Sequence, residues 1–248
     1  AAWEGSENIS SAYGFYIDDF QWPEMSGLFA AKGHKHSPFA GYYWGPERII
    51  GAVNANYGAT QGAARVRTGI AYHWRIQPVI IAAEDGRSTT SRVRLIQTAT
   101  GKKTEGRPNG SAFSSGMYPN DQSILENGVW RFWALEIDEH YMTSAGWSGG
   151  WSGVKPVGAD RPPSRPSALL TRYPPDVLMT EIPRRTESLR GGTGEPVEWP
   201  GILPMWFHYK NPVSGRVPEK FWPDCVPCAV RPESQMTRHG YLMPPDRF

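Results

Sequence analysis

Cysteine is nearly missing from this chain: two residues in 248. Two thiols cannot build the disulfide framework of a small secreted domain. A reducing, cytoplasmic setting is therefore the default. No apolar run approaches the roughly 20 residues that a helix needs to cross a bilayer. No signal peptide is visible, and the start Ala-Ala-Trp without Met leaves a trimmed leader as the alternative. A surplus of one charge is lacking too. The net charge is +2 with 20% charged residues, which leaves no electrostatic footprint for nucleic acid or an anionic membrane. There is no phosphate-cradling glycine loop and no His-Glu-x-x-His pair. A nucleotide, flavin or resident metal is accordingly not expected. Internal repeats and low-complexity tracts are absent.

What the chain has in abundance is aromatic. It carries 11 Trp, 11 Tyr and 9 Phe, 12% of the sequence, a load that suits a large apolar cavity or interface. Its length allows one sizeable domain, or one domain plus an extension. Ile9, Ala12, Tyr13, Tyr16, Ile17 and Phe20 recur at spacings of three and four, an apolar stripe at the helical period. Ser6 reads as the cap of that helix, with Glu7 in its first turn. A short second helix follows, opened by Pro23, with Met25, Leu28 and Phe29 as its buried side. Gly33 to Gly45 reads as a strand and a turn. Pro46 begins a third helix with Ile49, Ile50, Val53 and Tyr57 on one face.

Near Ala71 the period changes to two. Ala71 to Ala83 reads as a strand, Asp85-Gly86 as a hairpin turn and Ser88 to Thr98 as the return. Further strands are expected at Ser111 to Tyr118, up to Glu126, and from Val129 to Thr143 after the turn Asn127-Gly128. Helices first and an antiparallel meander second is an α+β order. Beyond about residue 147 the composition shifts. Residues 148–248 hold 17 of the 23 prolines, which argues against regular helices or central strands there. Trp199, Trp206, Phe207, Tyr209, Phe221, Trp222 and Tyr241 are too many aromatics for a disordered linker. The expectation is a domain at 1–147 and an irregular, Pro- and aromatic-rich extension at 148–248 that wraps the domain or a partner subunit.

Several pieces of this text occur in a familiar order. They are Asp18-Asp19-Phe20-Gln21-Trp22 running to Leu28-Phe29-Ala30, the helix start Gly45-Pro46-Glu47-Arg48-Ile49, His73 heading the meander, and the closing Gly128-Val129-Trp130-Arg131-Phe132. Together, over about residues 6–147, they resemble the SnoaL-like branch of the NTF2-like superfamily. The resemblance implies a cone: three N-terminal helices on a curved antiparallel sheet, enclosing one deep pocket. It also implies a homodimer built on the outer face of the sheet. The chain departs from the family by continuing for another hundred residues.

Candidate site residues follow from chemistry and from that resemblance. Asp18 and Asp19 end the first helix at what would be the pocket mouth. A carboxylate pressed against Phe20 and Trp22 would hold its proton more tightly and act as a base, and Asp19 is the candidate; a solvated helix end is the bland alternative. His73 would shuttle a proton at neutral pH, as the family often keeps a His near this place; otherwise it is a packed His bonded to backbone. Arg92 and Arg94 share one face of a strand, opposite Val93 and Leu95. Arg75 and Gln77 form a similar pair. Inside the cone such arginines would steady developing negative charge; outside they would only solvate the sheet. Tyr57 and Lys102 complete the catalytic candidates. Tyr16, Phe20, Trp22, His36, Tyr43, Arg92, Met117 and Trp133 are candidates to line a substrate pocket. His34 and His36 point the same way from a strand, but a metal would need a third ligand such as Asp138, Glu139 or His140, so no metal is expected. Cys225-Val226-Pro227-Cys228 is a lone Cys-x-x-Cys and reads as packing.

By resemblance, the relatives in view are polyketide cyclases, scytalone dehydratase, ketosteroid isomerase and bacterial lyases that remove formaldehyde from lignin-derived diaryl compounds. The expected function is a cofactor-independent lyase on a bulky aromatic, lignin-type diaryl substrate. A dehydratase, isomerase or cyclase on a phenolic, steroid-like or polyketide substrate is the alternative. A non-catalytic binding or assembly module is the alternative from another class. The expected partner is a small aromatic molecule, with neither nucleic acid nor membrane.

Overall fold

The helical and alternating periods fall where the hydrophobic pattern puts them. In the computed structural model, which describes residues 1–37, 40–57, 71–100, 111–145, 169–178, 211 and 213–216 (backbone alone at 71, 99–100, 111–120 and 138–145), helices α1 (Ala2–Asp18), α2 (Trp22–Ser26) and α3 (Gly45–Tyr57) pack on a curved sheet. The strands are β1 (Phe29–Ser37), β2 (Gly41–Trp44), β3 (Ala71–Ala82), β4 (Ser88–Thr100), β5 (Ser111–Glu126), β6 (Val129–Leu135) and β7 (Asp138–Ala145). A short helix α4 (Leu169–Arg172) and a two-residue strand β8 (Val177–Leu178) follow. This is the α+β fold of an NTF2-like cone.

The strand order is β3-β4-β5-β6-β1-β2-β8, with β7 pairing back on β5. All pairings are antiparallel except β1 with β6. That exception extends the sheet beyond the 71–145 meander: the strand after α2 returns to lie beside β6. Phe29, expected on the second helix, is the first residue of β1 and is 2% exposed. The meander also differs in detail. Residues 111–126 form one strand rather than two, and the strand from Val129 breaks at Glu136-Ile137 into β6 and β7. Asn127 and Gly128 both have positive φ, as a two-residue hairpin of the primed type requires.

Ile9, Tyr13 and Ile17 of α1, Trp22 and Met25 of α2, and Ile49, Ala52 and Val53 of α3 bury against Phe29, Tyr43, Val93, Leu95, Phe132, Leu135 and Ile137. Tyr13, Phe29 and Phe132 meet edge-on or tilted at 5.6–6.2 Å. Ser6 does not cap α1. The helix begins four residues earlier, and Ser6 is buried within it, accepting a hydrogen bond from Thr89 Oγ1 at 3.0 Å.

Residues 169–178 return to the domain. Asp176 accepts from the Trp44 backbone N–H and from Arg48 Nε, both at 2.8 Å, while its own N–H donates to the Tyr42 carbonyl. Tyr173 stacks on Tyr43 at 5.8 Å, and its carbonyl accepts from the Tyr43 hydroxyl at 2.6 Å.

Candidate active site

A line of small and polar residues runs along α1 beside its apolar stripe. Ser6, Ser10, Gly14 and Asp18 stand four apart, so they share one helix edge. That edge faces the sheet. Ser10 Oγ accepts from Arg75 Nε at 2.8 Å. A Cβ on Gly14 would lie 3.1 Å from the His73 carbonyl, so glycine lets helix and strand close on each other. Asp18, at the last turn, reaches β3 directly.

The Asp18 carboxylate accepts the His73 backbone N–H at 2.9 and 3.1 Å and meets His73 Nδ1 at 2.7 Å. A carboxylate in this place accepts from Nδ1–H, which in a neutral imidazole leaves the lone pair on Nε2. Nε2 lies 3.3 Å from the hydroxyl of Tyr57, at the end of α3. Asp18, His73 and Tyr57 thus form a chain from carboxylate through imidazole to phenol. The His73 side chain is 4% exposed and that of Asp18 13%. Trp22 and Phe20 close the Tyr57 side: Trp22 lies 6.4 Å from the Tyr57 ring and 5.2 Å from Phe20. Tyr16 and Phe20 are partly buried against the same core.

Two residues along β3, Arg75 points the same way as His73 and forms a buried ion pair with Asp121; the two side chains are 2% and 0% exposed. The guanidinium lies 5.4 Å from the Tyr13 ring centre. Burial pushes the Asp121 carboxyl up, against the pull of Arg75 and of Lys35. Its other oxygen accepts the Glu136 backbone N–H at 2.9 Å. Lys35, also buried, donates to the His36 carbonyl at 3.1 Å and to Ser37 Oγ at 3.4 Å.

The remaining candidates fall elsewhere. Asp19 is the exposed C-cap of α1; the carboxylate on His73 is its neighbour, Asp18. Arg94 is exposed, on the face opposite the buried Val93 and Leu95. Arg92 is 8% exposed, beside register breaks in both neighbouring strands. Met117 sits in β5 opposite Arg94, with its side chain outside the described residues. Lys102, Cys225 and Cys228 lie outside them altogether, as do the side chains of Asp138, Glu139 and His140.

Tyr43 faces the helices but is occupied with Tyr173, and burial pushes its phenol up to about 12. His34, His36, Trp133 and Glu136 occupy the other face of the sheet, since the intervening Lys35 pairs with Tyr43 and with Leu135 of the helix-side core. His34 and Glu136 approach to 3.9 Å with both side chains 0% exposed. Burial pushes His34 down to about 3. His36 Nδ1 is 2.9 Å from the Ile137 carbonyl. Among the described residues no group of three His, Cys, Asp or Glu is placed to hold a metal, and no helix is long and apolar enough to cross a membrane.

The SnoaL-like domain family matches residues 7–136. Among solved structures, a hexachlorocyclohexane dehydrochlorinase, LinA-type3, from Novosphingobium barchaimii is 17% identical, over 58% of this chain and 89% of its own, with a TM-score of 0.46. A candidate scytalone dehydratase from Novosphingobium aromaticivorans is 16% identical over 58% and 87%, with a TM-score of 0.42. ActVI-ORFA from Streptomyces coelicolor is 13% identical over 55% and 96%, with a TM-score of 0.41. No curated protein matches the chain.

Proposed function

We propose, from the premise that the chain belongs to the SnoaL-like domain family, that it is a cofactor-independent enzyme that moves protons on a small organic substrate. Members of that family are typically cofactor-independent dehydratases, isomerases and cyclases. The observation that carries the reading is the Asp18–His73–Tyr57 chain. Asp18 fixes the imidazole tautomer so that Nε2 is the base. Tyr57 stands beside Nε2 as the group that returns a proton or holds an oxyanion. A base and an acid on the same side of a substrate suit the removal of a proton at one atom and the loss of a leaving group at the next.

Within that class we favour a lyase on a lignin-type diaryl diol, because Phe20, Trp22 and Tyr57 give the site aromatic walls. His73 Nε2 would take the proton of a primary hydroxyl. The carbon–carbon bond beside it would break to release formaldehyde, its electrons forming the new alkene. The benzylic hydroxyl would leave as water with a proton from Tyr57, giving a stilbene. The same chain would serve a dehydratase on a phenolic substrate, where only water leaves. Incubation with a panel of lignin-derived dimers, followed by formaldehyde assay and stilbene absorbance, separates the two. Water loss without formaldehyde selects the dehydratase. No turnover of any dimer or phenolic alcohol by wild-type protein would overturn the enzyme reading.

A further inference from the structure

Trp22 opens α2 and is 7% exposed within the main core cluster. Its ring neighbours are Phe20 and Tyr57, and Tyr57 is the residue whose hydroxyl meets His73. An indole nitrogen is a donor only. Among the described residues Trp22 Nε1 is buried without a hydrogen-bond partner. Ile17, Ile49 and Val53, which share its cluster, offer no acceptor side chain, and no tyrosine hydroxyl of the cluster is within hydrogen-bond reach of the indole nitrogen. A phenylalanine would keep an aromatic wall here without burying a polar atom. A buried N–H with no acceptor weakens a fold, and a ligand bound beside Tyr57 would supply one.

We infer that the Trp22 indole N–H is a substrate-binding donor. It takes an oxygen of the ligand, a carbonyl or phenolic oxygen, while the ligand's ring packs among Phe20, Trp22 and Tyr57. The substrate class is then an oxygen-bearing aromatic, with its acceptor oxygen set away from the atom that His73 deprotonates. A hydrocarbon or halocarbon of the same size fills the space and leaves the donor unmet. Such a site discriminates more sharply than an apolar wall, because the wrong ligand buries the N–H for good. This inference rests on the reading of Asp18–His73–Tyr57 as the active site.

The test uses the full chain labelled with nitrogen-15 at the tryptophan indoles, with the Trp22 signal assigned through its own backbone. The probes are 4-hydroxybenzophenone, which offers carbonyl and phenolic oxygens, and diphenylmethane, which offers none. The oxygenated probe is expected to move the Trp22 indole proton downfield, and diphenylmethane to leave it unshifted by hydrogen bonding. Trp22→Phe is expected to weaken binding of 4-hydroxybenzophenone about tenfold, as the loss of one buried hydrogen bond does, and to leave diphenylmethane affinity nearly unchanged. A Trp22 signal that stays in place at saturation overturns the inference, as does equal weakening for both probes or binding of neither. His73→Ala turnover on the dimer panel is measured alongside. Full activity in that variant with a moving Trp22 signal sinks the catalytic reading alone. An inactive His73→Ala with a silent Trp22 sinks the donor alone.

Discussion

The two adjacent aspartates at the end of α1 show how one residue step changes what a carboxylate meets. Asp18 holds His73 at 2.7 Å, and Asp19 is exposed. Removing a true general base or its orienting partner lowers turnover by about a hundredfold or more. His73→Ala and Asp18→Asn are therefore expected to lose at least that much in kcat with folded structure retained, whereas Asp19→Asn and Arg94→Met should stay near wild type. Steady-state kinetics with circular dichroism on each variant checks this. His34 gives a prediction in pH. Burial holds its folded pKa near 3, below the ordinary 6.5, so the unfolded chain binds the proton first. The stabilisation is complete above about pH 6.5, erodes as pH falls, and is exhausted near the folded value. Urea midpoints are expected to drop from pH 7 toward pH 4, and His34→Gln should flatten that slope. The Asp18 assignment was readable in principle: Ser6, Ser10, Gly14 and Asp18 lie four apart, and an apolar stripe draws the eye away from the polar line beside it. The side taken by Arg75 was not readable. It shares a face with Leu95 through a ladder whose register breaks between Ile76 and Val79; Pro78, after Gln77 at positive φ, marks that break locally, but the face that Arg75 takes is set by the partner strand.

At the scale of elements, the helices and the β3–β4 hairpin follow from local pattern, since period, Pro23, Pro46 and Asp85-Gly86 are local signals. The β1–β6 pairing does not, because it joins strands whose partners are chosen by the whole fold. Gly33 shows what that pairing demands. A Cβ there would sit 2.6 Å from the Phe132 carbonyl, so Gly33→Ala must push the strands apart. A loss of about 1–3 kcal/mol in unfolding free energy is expected, measured by denaturant titration. The 169–178 segment rests on a different device. Asp176 joins the Trp44 N–H, Arg48 and the segment's own backbone, which no composition could reveal. Asp176→Ala should raise amide exchange throughout 169–178 and cost about 1–3 kcal/mol, because the Trp44 N–H loses its acceptor. Unchanged exchange there would show that the aromatic stack on Tyr43 suffices.

For the whole molecule, the cone was implied by the family resemblance, while the α+β order was legible from the succession of periods and the helix-side core from the apolar stripes. The polar interior was not, because Arg75, Asp121 and Lys35 are charged residues that a pattern reading sends outward. Turnover is expected to survive dialysis against EDTA, since in the proposed mechanism His73, Asp18 and Tyr57 supply both acid and base; a loss restored by a divalent cation would contradict it. The parallel pair has a consequence in time. His34 pairs with Ala134, about 100 residues later in the chain. At 5–20 residues per second on the ribosome, β1 is made ~5–20 s before its partner. Through that interval α1, α2 and β1 have emerged with their apolar faces uncovered. Contacts of such long separation also close late and slowly. The nascent chain therefore passes through a stage in which these elements need shielding, and slowing translation between β2 and β6 should lengthen that exposure and raise the aggregated fraction.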